Sequence, residues 1–402
     1  MGRSYKVGIV GFGMAGGLAA YLLARDGHQV TLLERADRLG PTGAGVLLQS
    51  SGQAILAQLG LLDAVVARAA PLDELHARFA SGGDLIRTRY ADYAPGCLAY
   101  GVHRGVLFNV LHDAVKTQPI EVRTGCEIVR REITSQGVRL HDRQGNVHGP
   151  FDFLLSGDGS RSQLRQAWGF PAAITNYHHG TLWLIAPGTT VQRKLLQVVE
   201  GTRRLFGLLP LGDGLSTLYW GLPVRDYPAL RARGLPALKQ EILAFSPEAA
   251  ETLDFLYDMD QLLMTTYRHV HMTRWYDDHV LFFGDSAHAM SPHLGQGINL
   301  AMVDAYVLAE CVRETGTPRE AFARFRRLRA DHIRYYAAVT YLLSPFFQSD
   351  WWLLGWGRDW ALPLLPRIPF VKQQMLLTVS GQKGGFVKGR ATWGPSPLPR
   401  NA

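Results

Sequence analysis

The feature that most constrains this chain is a glycine-rich turn near its N-terminus, Gly11-Phe12-Gly13-Met14-Ala15-Gly16. A short apolar run rich in β-branched residues precedes the turn, and a stretch typical of a helix follows it. A second apolar run then ends at Glu34. Strand, glycine turn, helix and strand, with an acidic residue about 20 residues beyond the glycines, together predict a βαβ dinucleotide-binding unit.

Each glycine of this turn has its own physical role in such a unit. Gly11 permits the tight turn, Gly13 lets the backbone approach a pyrophosphate, and Gly16 lets the helix pack closely on the strand. The pyrophosphate lies at the positive N-terminal end of the helix. Glu34 can accept hydrogen bonds from ribose hydroxyls.

Composition indicates a globular protein of two or three domains. The chain has 402 residues, of which 47% are hydrophobic and 19% charged, which is ample for more than one core. The net charge of +8 is spread out, and without a Lys/Arg run we expect no nucleic-acid partner. The three cysteines (Cys97, Cys126 and Cys311) are few and widely spaced, so we predict no disulfide framework, no metal site and a reducing cytoplasm.

The N-terminus and the apolar runs bear on targeting. The first strand begins so early that we expect no signal peptide. Since no stretch reaches about 18 uninterrupted apolar residues, we also expect no membrane-spanning helix.

Two further glycine motifs follow predicted strands. In the first, Ser156–Ser162, Asp158 lies between two glycines, and the motif is either a sharp turn or a place where Arg161 and the backbone meet phosphate. The second covers 284–299 and opens into a helix with a clear 3.6-residue apolar period. Its N–H groups point at whatever lies before Gly297, and Asp285 can accept hydrogen bonds from sugar-like hydroxyls.

Two smaller features allow more than one interpretation. Glycines in the 40–45 loop, just before Val46 and Leu47, either let backbone pass close to a flat ligand or only shape the loop. Arg104 precedes a predicted helix, where a surface salt bridge and a cofactor contact both fit.

Residues 170–275 have the alternating pattern of an antiparallel sheet with its own core. Such an insertion, placed over a cofactor, would form the floor of a substrate site. Its aromatic side chains can face a pocket or pack in the core; they are Trp183, Phe206, Tyr219 and Trp220.

A Trp-rich apolar stretch at 337–375 is interrupted by prolines. Helices over a substrate entrance, a face that contacts a membrane interface through residues 350–370, and plain packing on the main body all fit this pattern.

The three glycine motifs in this order resemble the class A, single-component FAD-dependent aromatic hydroxylases, the para-hydroxybenzoate hydroxylase-like flavoprotein monooxygenases. The likeness covers about residues 5–330, and the third motif, GDSAHAMSPHLGQGINLAMVDA, carries most of it. The resemblance implies FAD as cofactor and NADPH or NADH as reductant. It also implies dioxygen and a small aromatic molecule as co-substrates.

The resemblance assigns roles to matching positions of this chain. The ADP half of FAD falls to Gly11, Gly13, Met14, Ala15, Gly16, Glu34 and Arg35. Arg104, in an HRxxLxxxL pattern, matches an arginine that contacts the cofactor. Asp158 matches a motif credited with both FAD and NADPH contacts, and Asp285 would bind the ribityl chain. Next to the isoalloxazine ring we expect Val46, Leu47, Gly295, Gly297, Ile298 and Asn299.

The family mechanism is implied in the same way. Hydride passes from the nicotinamide to FAD, oxygen adds at flavin C4a, and the hydroperoxide hydroxylates an electron-rich carbon. A base for a phenolic hydroxyl would help, and the candidates are Tyr219, His288 and His293; of these, His288 in the GDSAH pattern is more often structural in this family.

Departures from the patterns of related families narrow the range of expected reactions and substrates. Trp183-Leu184-Ile185-Ala186-Pro187 lacks the second tryptophan of the flavin halogenases. The Trp-rich segment is reminiscent of hydroxylases acting on quinones, quinolones or polycyclic products, which favours a planar, lipophilic substrate. A flavin reductase or dehydrogenase of the same fold, and a non-catalytic FAD-binding scaffold, are the alternative functions.

We therefore predict an α/β fold, a Rossmann-like FAD-binding domain with an inserted, mostly antiparallel β-sheet substrate domain and a helical C-terminal segment. The FAD-binding domain comprises 1–75, 100–170 and 277–335, and the substrate domain comprises 76–99 and 171–276. An apolar helical segment spans 336–380, and a flexible tail spans 381–402. We expect a cytoplasmic protein, with membrane association at the inner face as an alternative.

Overall fold

A computed structural model describes residues 3–41 and 43–391 of the chain. The strands in chain order are β1 Lys6–Val10, β2 Gln29–Leu33, β3 Gly45–Leu48, β4 Ala70–Leu72, β5 Glu74–Phe79, β6 Asp84–Arg89, β7 Ala99–His103, β8 Ile120–Arg123, β9 Ile128–Thr134, β10 Gly137–Asp142, β11 Val147–Phe151, β12 Phe153–Ser156, β13 Ala172–Pro187, β14 Lys194–Glu200, β15 Arg204–Gly212, β16 Leu215–Pro223, β17 Leu263–Met272 and β18 Val280–Phe282. The helices are α1 Met14–Arg25, α2 Ser50–Gln58, α3 Leu62–Val66, α4 Arg104–Lys116, α5 Leu164–Ala167, α6 Tyr227–Arg233, α7 Leu235–Phe245, α8 Ala250–Leu253, α9 Asp285–His288, α10 Gly297–Glu314, α11 Pro318–Phe347, α12 Trp352–Ala361 and α13 Pro369–Val379.

A five-stranded parallel sheet forms the centre of the first layer, in the order β18-β12-β1-β2-β8. Its four strands β18, β12, β1 and β2 are short, apolar and largely buried, as expected for a parallel sheet covered on both faces. The edge strand β8 is only partly buried. The chain passes from β1 to β2 on one side, while β12 pairs with β1 on the other. The reversal of strand order beside β1 creates a crevice at the carboxyl ends of the strands.

Two small antiparallel sheets flank this layer. One has the order β11-β10-β9, and the other has the order β3-β7-β4. In the second, β3 pairs with β7 so that Gly45 lies opposite His103. This pairing brings the end of the 40–45 loop beside the start of α4, although Thr42 in that loop lies outside the described residues.

The second layer is a seven-stranded sheet, in the order β17-β13-β16-β15-β14-β5-β6. Its strand pairs are antiparallel except for β14 with β5, which are parallel. Through this parallel pair, the hairpin formed by β5 and β6 is added to the edge of the sheet formed by later strands. The predicted fold class, a Rossmann-like unit with an inserted and mostly antiparallel sheet, is confirmed.

The two faces of the seven-stranded sheet differ because side chains alternate along each strand. Leu182, Leu218, Phe206 and Trp220 pack in one buried cluster with side chains of α6–α8. Trp183 and Tyr219 lie on the opposite face, with their ring centroids 5.3 Å apart. Phe206 and Trp220 are therefore core residues under the helices, and the pocket interpretation can apply only to Trp183 and Tyr219.

The C-terminal part begins with α11, a 30-residue helix that continues beyond the predicted boundary at 336 and contains Pro345 in its last turn. α12 and α13 follow it. Among the helices that the structure describes, none combines the length and apolarity that a bilayer crossing requires.

The segment that follows α13 differs at its start from the predicted flexible tail. Ser51 donates its backbone N–H to the Ser380 carbonyl, and Gly381 lies so close to Ser51 that a Cβ there would clash. Gln382 and Lys383 are buried. Glycine in this segment permits close packing on α2, whereas the composition alone indicated a loose chain; residues 392–402 of the predicted tail lie outside the described part.

Candidate functional site

The three glycine motifs meet at the carboxyl ends of β1, β12 and β18. Gly11 has a positive φ of 99°, and a Cβ added to it would lie 2.7 Å from the Gly157 carbonyl oxygen. A Cβ added to Gly284 would lie 2.9 Å from the Cβ of Ala15. The glycines thus allow three separate parts of the chain to pack against one another at the crevice.

The first turn leaves one side open. Gly16 cannot carry a side chain, because its Cβ would clash with the Gly11 carbonyl oxygen. Gly13, in contrast, is exposed, and a Cβ added to it would approach only the Gly157 carbonyl oxygen, at 4.0 Å. The N-terminus of α1 is therefore accessible through Gly13, as a pyrophosphate would require.

Glu34 lies at the end of β2, next to this turn. Its carboxylate accepts hydrogen bonds from the backbone N–H of Phe12 at 2.7 Å and from that of Ala36 at 3.0 Å. These bonds fix the carboxylate beside the turn, where its remaining acceptor positions can bind ribose hydroxyls. Arg35, the next residue, is exposed.

The second motif is tied to the third by an arginine that the sequence analysis did not single out. Arg165, which is almost fully buried, donates to the carbonyl oxygens of Ser286 at 2.5 Å and Ser160 at 2.9 Å. Arg161, which the sequence suggested, is instead exposed and donates to the Thr266 hydroxyl at 3.3 Å. Asp158 accepts a 2.8 Å hydrogen bond from the Ser156 hydroxyl, and burial raises the pKa of its carboxyl.

Two acidic residues of the third motif region have opposite environments. Asp285 is exposed at the start of α9, and among the described residues its carboxylate has no hydrogen-bond or ion-pair partner. Asp304 is fully buried and accepts from the Gly284 backbone N–H at 2.9 Å and from Arg329 Nε at 2.7 Å. Asp285 is thus available to a ligand, while Asp304 holds the motif in place.

His288 belongs to the Asp304 network. Its Nε2 lies 2.6 Å from the Asp304 carboxylate, and the side chain is buried. Burial alone would raise the pKa of Asp304, but His288 and Arg329 beside it hold that pKa well below the ordinary value. This network gives His288 a structural contact, which argues against its candidacy as the catalytic base.

Asn299 joins the third motif to β3. Its side-chain oxygen accepts from the Gln49 backbone N–H at 2.9 Å, and its side-chain nitrogen donates to the carbonyls of Leu47 and Gly295, each at 3.0 Å. The structure therefore brings Val46 and Leu47 beside the start of α10, where the resemblance expects the isoalloxazine ring. Gly297 is exposed, and a Cβ there would meet nothing within 4 Å.

Arg104 reaches the 40–45 loop. A Cβ added to Gly43 would lie 2.9 Å from Nη1 of Arg104, so the arginine side chain lies along the glycine backbone. Arg104 is exposed, and none of the described carboxylates pairs with it. An unpaired cation beside this crevice suits an anionic ligand better than the salt-bridge interpretation.

These residues fit an FAD molecule. An open helix N-terminus at Gly13, the fixed carboxylate of Glu34, the free carboxylate of Asp285 and the free cation of Arg104 are the donor and acceptor types that a flavin dinucleotide needs. The open backbone at Gly297, at the positive end of α10, suits the flavin ring.

Tyr219 lies on the sheet face that points away from α6–α8, but its hydroxyl is engaged. Gln197 donates to it at 2.6 Å, and its ring lies against Gly207 on the next strand. Burial raises the pKa of Tyr219 further above its ordinary value. A phenol that stays protonated does not favour the predicted role of a base.

His293 has the environment that the other two candidates lack. Its Nδ1 lies 2.8 Å from the Ser291 hydroxyl, while its Nε2 is buried without a partner among the described residues. Burial, with a smaller effect of His179, lowers the pKa of His293 to about 4. The ring is therefore neutral at neutral pH.

On the face of the seven-stranded sheet that carries Trp183 and Tyr219, other buried polar atoms also lack a hydrogen-bond partner within the described chain. Since buried polar groups are normally paired, each such atom indicates a ligand or water. Together with His293 Nε2 they are His179 Nε2, Thr217 Oγ1 and His269 Nδ1. Sequence reasoning missed these residues because the strand pattern does not show which polar side chains lack partners.

Two other features lie apart from the glycine motifs. A cleft of about 520 Å³ is lined by ion-paired side chains, such as Glu74 with Arg87. Cys126, Asp142 and His148 are buried, with potential metal-ligand atoms within 4.8 Å of one another. Arg123 donates to His148 Nδ1, which leaves Nε2 to donate to Asp142. The side chains of His148 and Asp142 are therefore already engaged in hydrogen bonds.

Comparisons with known proteins show the family of this chain. A family model described as an FAD binding domain matches residues 4–319. The 6-methylpretetramide 4-monooxygenase of Streptomyces rimosus is 30% identical over 335 residues, covering 81% of this chain and 79% of that protein. The aurachin C monooxygenase/isomerase of Stigmatella aurantiaca is 27% identical over 384 residues, covering 87% and 92%.

Solved structures share the fold. A variant of HpxO from Klebsiella pneumoniae, complexed with FAD, superposes with a TM-score of 0.81 at 21% identity, covering 94% of this chain and 99% of that one. The tetrameric form of 2-methyl-3-hydroxypyridine-5-carboxylic acid oxygenase gives a TM-score of 0.76 at 22% identity, covering 86% and 93%. With its three glycine motifs, the chain belongs to the FAD-binding class A aromatic hydroxylases and is an FAD-dependent monooxygenase.

Proposed function

We propose that this enzyme hydroxylates a planar, lipophilic aromatic molecule that carries a hydroxyl or ring N–H, and that His293 Nε2 accepts a hydrogen bond from that group. The observation that carries the proposal is the buried, unpartnered Nε2 atom between the flavin motif and the substrate sheet. Phenols, quinolones and polycyclic aromatic compounds satisfy this description.

Hydrogen-bond accounting supports the required tautomer of His293. The Ser344 hydroxyl donates its one proton to the Thr340 carbonyl at 2.7 Å. In the 2.8 Å contact between the Ser344 and Ser291 hydroxyls, the donor is therefore Ser291. Since its proton is then used, the Ser291 oxygen must accept from His293 Nδ1. The lone pair of the imidazole is left on Nε2, where it can accept.

Charge supports the substrate class. The unpartnered atoms of this sheet face belong to hydroxyl and imidazole groups, and burial lowers the pKa of His179 and His269 as well as that of His293. Neutral groups suit a neutral phenol or quinolone better than a carboxylate. Among the relatives, the name 2-heptyl-3-hydroxy-4(1H)-quinolone synthase, from Pseudomonas aeruginosa, is in line with this class.

The protein's contribution is positioning, electrostatics and exclusion of water. Bound FAD supplies the redox chemistry, taking hydride from NADPH or NADH and activating dioxygen. The N-terminus of α10 favours negative charge beside Gly297. His293 accepts a hydrogen bond from the substrate hydroxyl, which orients the substrate and shifts electron density towards the aromatic ring. Side chains of α11 close the site, with the Phe347 ring 6.0 Å from the His293 ring.

The test measures oxidation of NADPH and NADH by FAD-loaded protein in air, with a panel of phenols, quinolones and polycyclic aromatics. We expect one class to accelerate oxidation sharply, with less peroxide formed than coenzyme consumed and with label from ¹⁸O₂ in the product. Neutral compounds of that class should accelerate coenzyme oxidation more than their carboxylated analogues do. Product without ¹⁸O would indicate a reductase, and flavin that no coenzyme reduces would indicate a scaffold.

A variant pair tests His293 itself. We expect His293→Ala to lower kcat/KM for the accelerating substrate by about 100-fold, a typical value for loss of a proton acceptor, with unchanged FAD content. The matched control is His271→Ala, an exposed histidine on β17. Equal activity of the two variants would contradict the role proposed for His293.

A further inference from the structure

α12 carries its apolar side chains on the face that points to solvent. Trp352, Trp356 and Trp360 are spaced by four residues, so they lie on one side of the helix. They are 71%, 69% and 70% exposed, respectively, and Leu353 beside them is 61% exposed. Four of the chain's nine tryptophans lie in residues 351–360. A soluble helix normally buries such a face.

The opposite face of α12 is held against the protein by small and polar groups. Gly355 lies against Gly201, where a Cβ would approach the backbone to 3.3 Å. Arg358 is 2% exposed and donates to the Phe346 carbonyl at 2.8 Å. Asp359 pairs with this arginine. Rotating the helix to bury its tryptophans would expose this packing and break the Arg358 contacts, so the outward orientation is fixed.

Charge on this part of the chain is positive. Residues 351–391 contain six Lys or Arg and one acidic residue, Asp359. Lys372 and Lys388 are paired with Asp92 and Asp331 from outside the segment, so six cations minus three carboxylates leave a net charge of +3. Asp359 is neutralised by Arg358, and Asp350 just before α12 is bound by Arg203 and Arg225. Arg367 is exposed and has no ion-pair partner among the described residues. The surroundings of the tryptophan face therefore favour an anionic partner.

We propose that the tryptophan face of α12, formed by Trp352, Leu353, Trp356 and Trp360, docks onto the surface of an anionic phospholipid bilayer. Tryptophan prefers the headgroup level of a bilayer, where its ring is buried and its N–H stays hydrated. A helix of 10 residues spans only about 15 Å, so it lies in the interface plane. Anionic lipid complements the positive charge of residues 351–391.

The inner face of α12 connects this surface to the candidate substrate site. The Arg358 guanidinium lies 5.1 Å from the centre of the Phe347 ring, and Phe347 packs near His293. A lipophilic substrate dissolved in the bilayer would thus arrive beside the helix that closes the site. This last step rests on the proposed function, whereas bilayer docking itself does not.

The experiment is co-sedimentation of the FAD-loaded, full-length protein with vesicles. One set contains phosphatidylcholine alone and the other also contains phosphatidylglycerol. We expect sedimentation with the anionic vesicles, weakened by salt, and much less with the neutral ones. The combined variant Trp352→Ser, Trp356→Ser and Trp360→Ser should bind at least about tenfold more weakly, since interfacial affinity follows the buried apolar area.

The matched control replaces three exposed apolar side chains outside this surface, Ile133, Val147 and Tyr257, with serine; it should bind like the unchanged protein. Both variants should keep their FAD, which reports an intact fold. Equal binding of the tryptophan variant and the unchanged protein would overturn the proposal, as would no binding to either vesicle. A lower oligomeric mass of the tryptophan variant, without a change in vesicle binding, would assign the surface to a second copy of the chain. The readout is vesicle binding and not enzymatic activity. The result can therefore be interpreted even if the proposed hydroxylation proves wrong.

Discussion

Two histidines five residues apart in the third glycine motif illustrate how environment decides a role. His288 is bound to the buried carboxylate of Asp304, whereas His293 leaves one nitrogen buried and unpartnered among the described residues. Both were candidate bases from the sequence, and only the family resemblance indicated that His288 is more often structural. The decisive partners, Asp304 on α10 and Ser344 on α11, are distant along the chain.

The neutral ring of His293, whose Nε2 atom is buried, predicts acid sensitivity of the fold. Its pKa of about 4 in the folded protein lies below the value of about 6.5 in an unfolded chain. Between these values the unfolded state binds the extra proton, so stability is full above about pH 6.5 and is lost as the pH falls toward 4. We expect His293→Gln to reduce the slope of unfolding free energy against pH in this window by up to about 1.4 kcal/mol per pH unit.

Chemical denaturation at a series of pH values measures this slope. His271→Gln, a change at an exposed histidine, serves as the control and should leave the slope unchanged. A slope that is the same in His293→Gln and in the unchanged protein would show that His293 is not buried as a neutral group.

Asp285 predicts a selective loss of cofactor. Because its carboxylate is exposed and has no partner among the described residues, Asp285→Ala removes no contact that the folded chain needs. We expect largely apo-protein with a far-ultraviolet circular dichroism spectrum like that of the unchanged enzyme, and flavin absorbance of the purified protein measures the occupancy. Full FAD content in Asp285→Ala would place the ribityl contact elsewhere.

At the scale of elements, the glycines of the first turn separate fold from ligand binding. A Cβ at Gly16 would clash with the Gly11 carbonyl, whereas one at Gly13 would approach nothing closer than 4.0 Å. We expect Gly16→Ala to destabilise the protein by about 3 kcal/mol, the upper range for overpacking. Gly13→Ala should fold normally but bind FAD more weakly, because the methyl group occupies the approach to α1.

Thermal denaturation of the two apo-variants, followed by FAD titration of Gly13→Ala, tests this pair. Equal stability losses would mean that both glycines serve the fold alone. Equal FAD affinity of Gly13→Ala and the unchanged protein would place the pyrophosphate away from this turn.

Elements with a strong local pattern could be predicted from the sequence, while contacts between elements could not. The unit β1–α1–β2 and the inserted sheet follow from hydrophobic periodicity and glycine turns. Arg165 did not stand out, because its partners Ser160 and Ser286 are backbone carbonyls in two different motifs. The segment after Ser380 was misjudged for a related reason: composition does not show that Gly381 packs against Ser51.

At the scale of the whole molecule, the candidate site is assembled from parts that are far apart in sequence. The crevice uses three glycine motifs on the parallel sheet; in the proposed site, the antiparallel sheet would form the substrate floor and α11 would close it. Periodicity predicted the layers, because each layer has its own core. It could not predict which polar atoms remain unpartnered between them, since that depends on how the layers face each other.

This assembly predicts that FAD stabilises the chain as a unit. A ligand that binds only the folded state at 100 times its Kd adds about 2.7 kcal/mol to the free energy of unfolding. Because FAD would contact Gly13, Arg104, Asp285 and Gly297 together, we expect added FAD to raise the melting temperature of apo-protein by several degrees, increasing with concentration. Differential scanning calorimetry measures the shift, and Asp285→Ala should need more FAD to reach it. A melting temperature unmoved by saturating FAD would mean that the bound flavin does not bridge these segments.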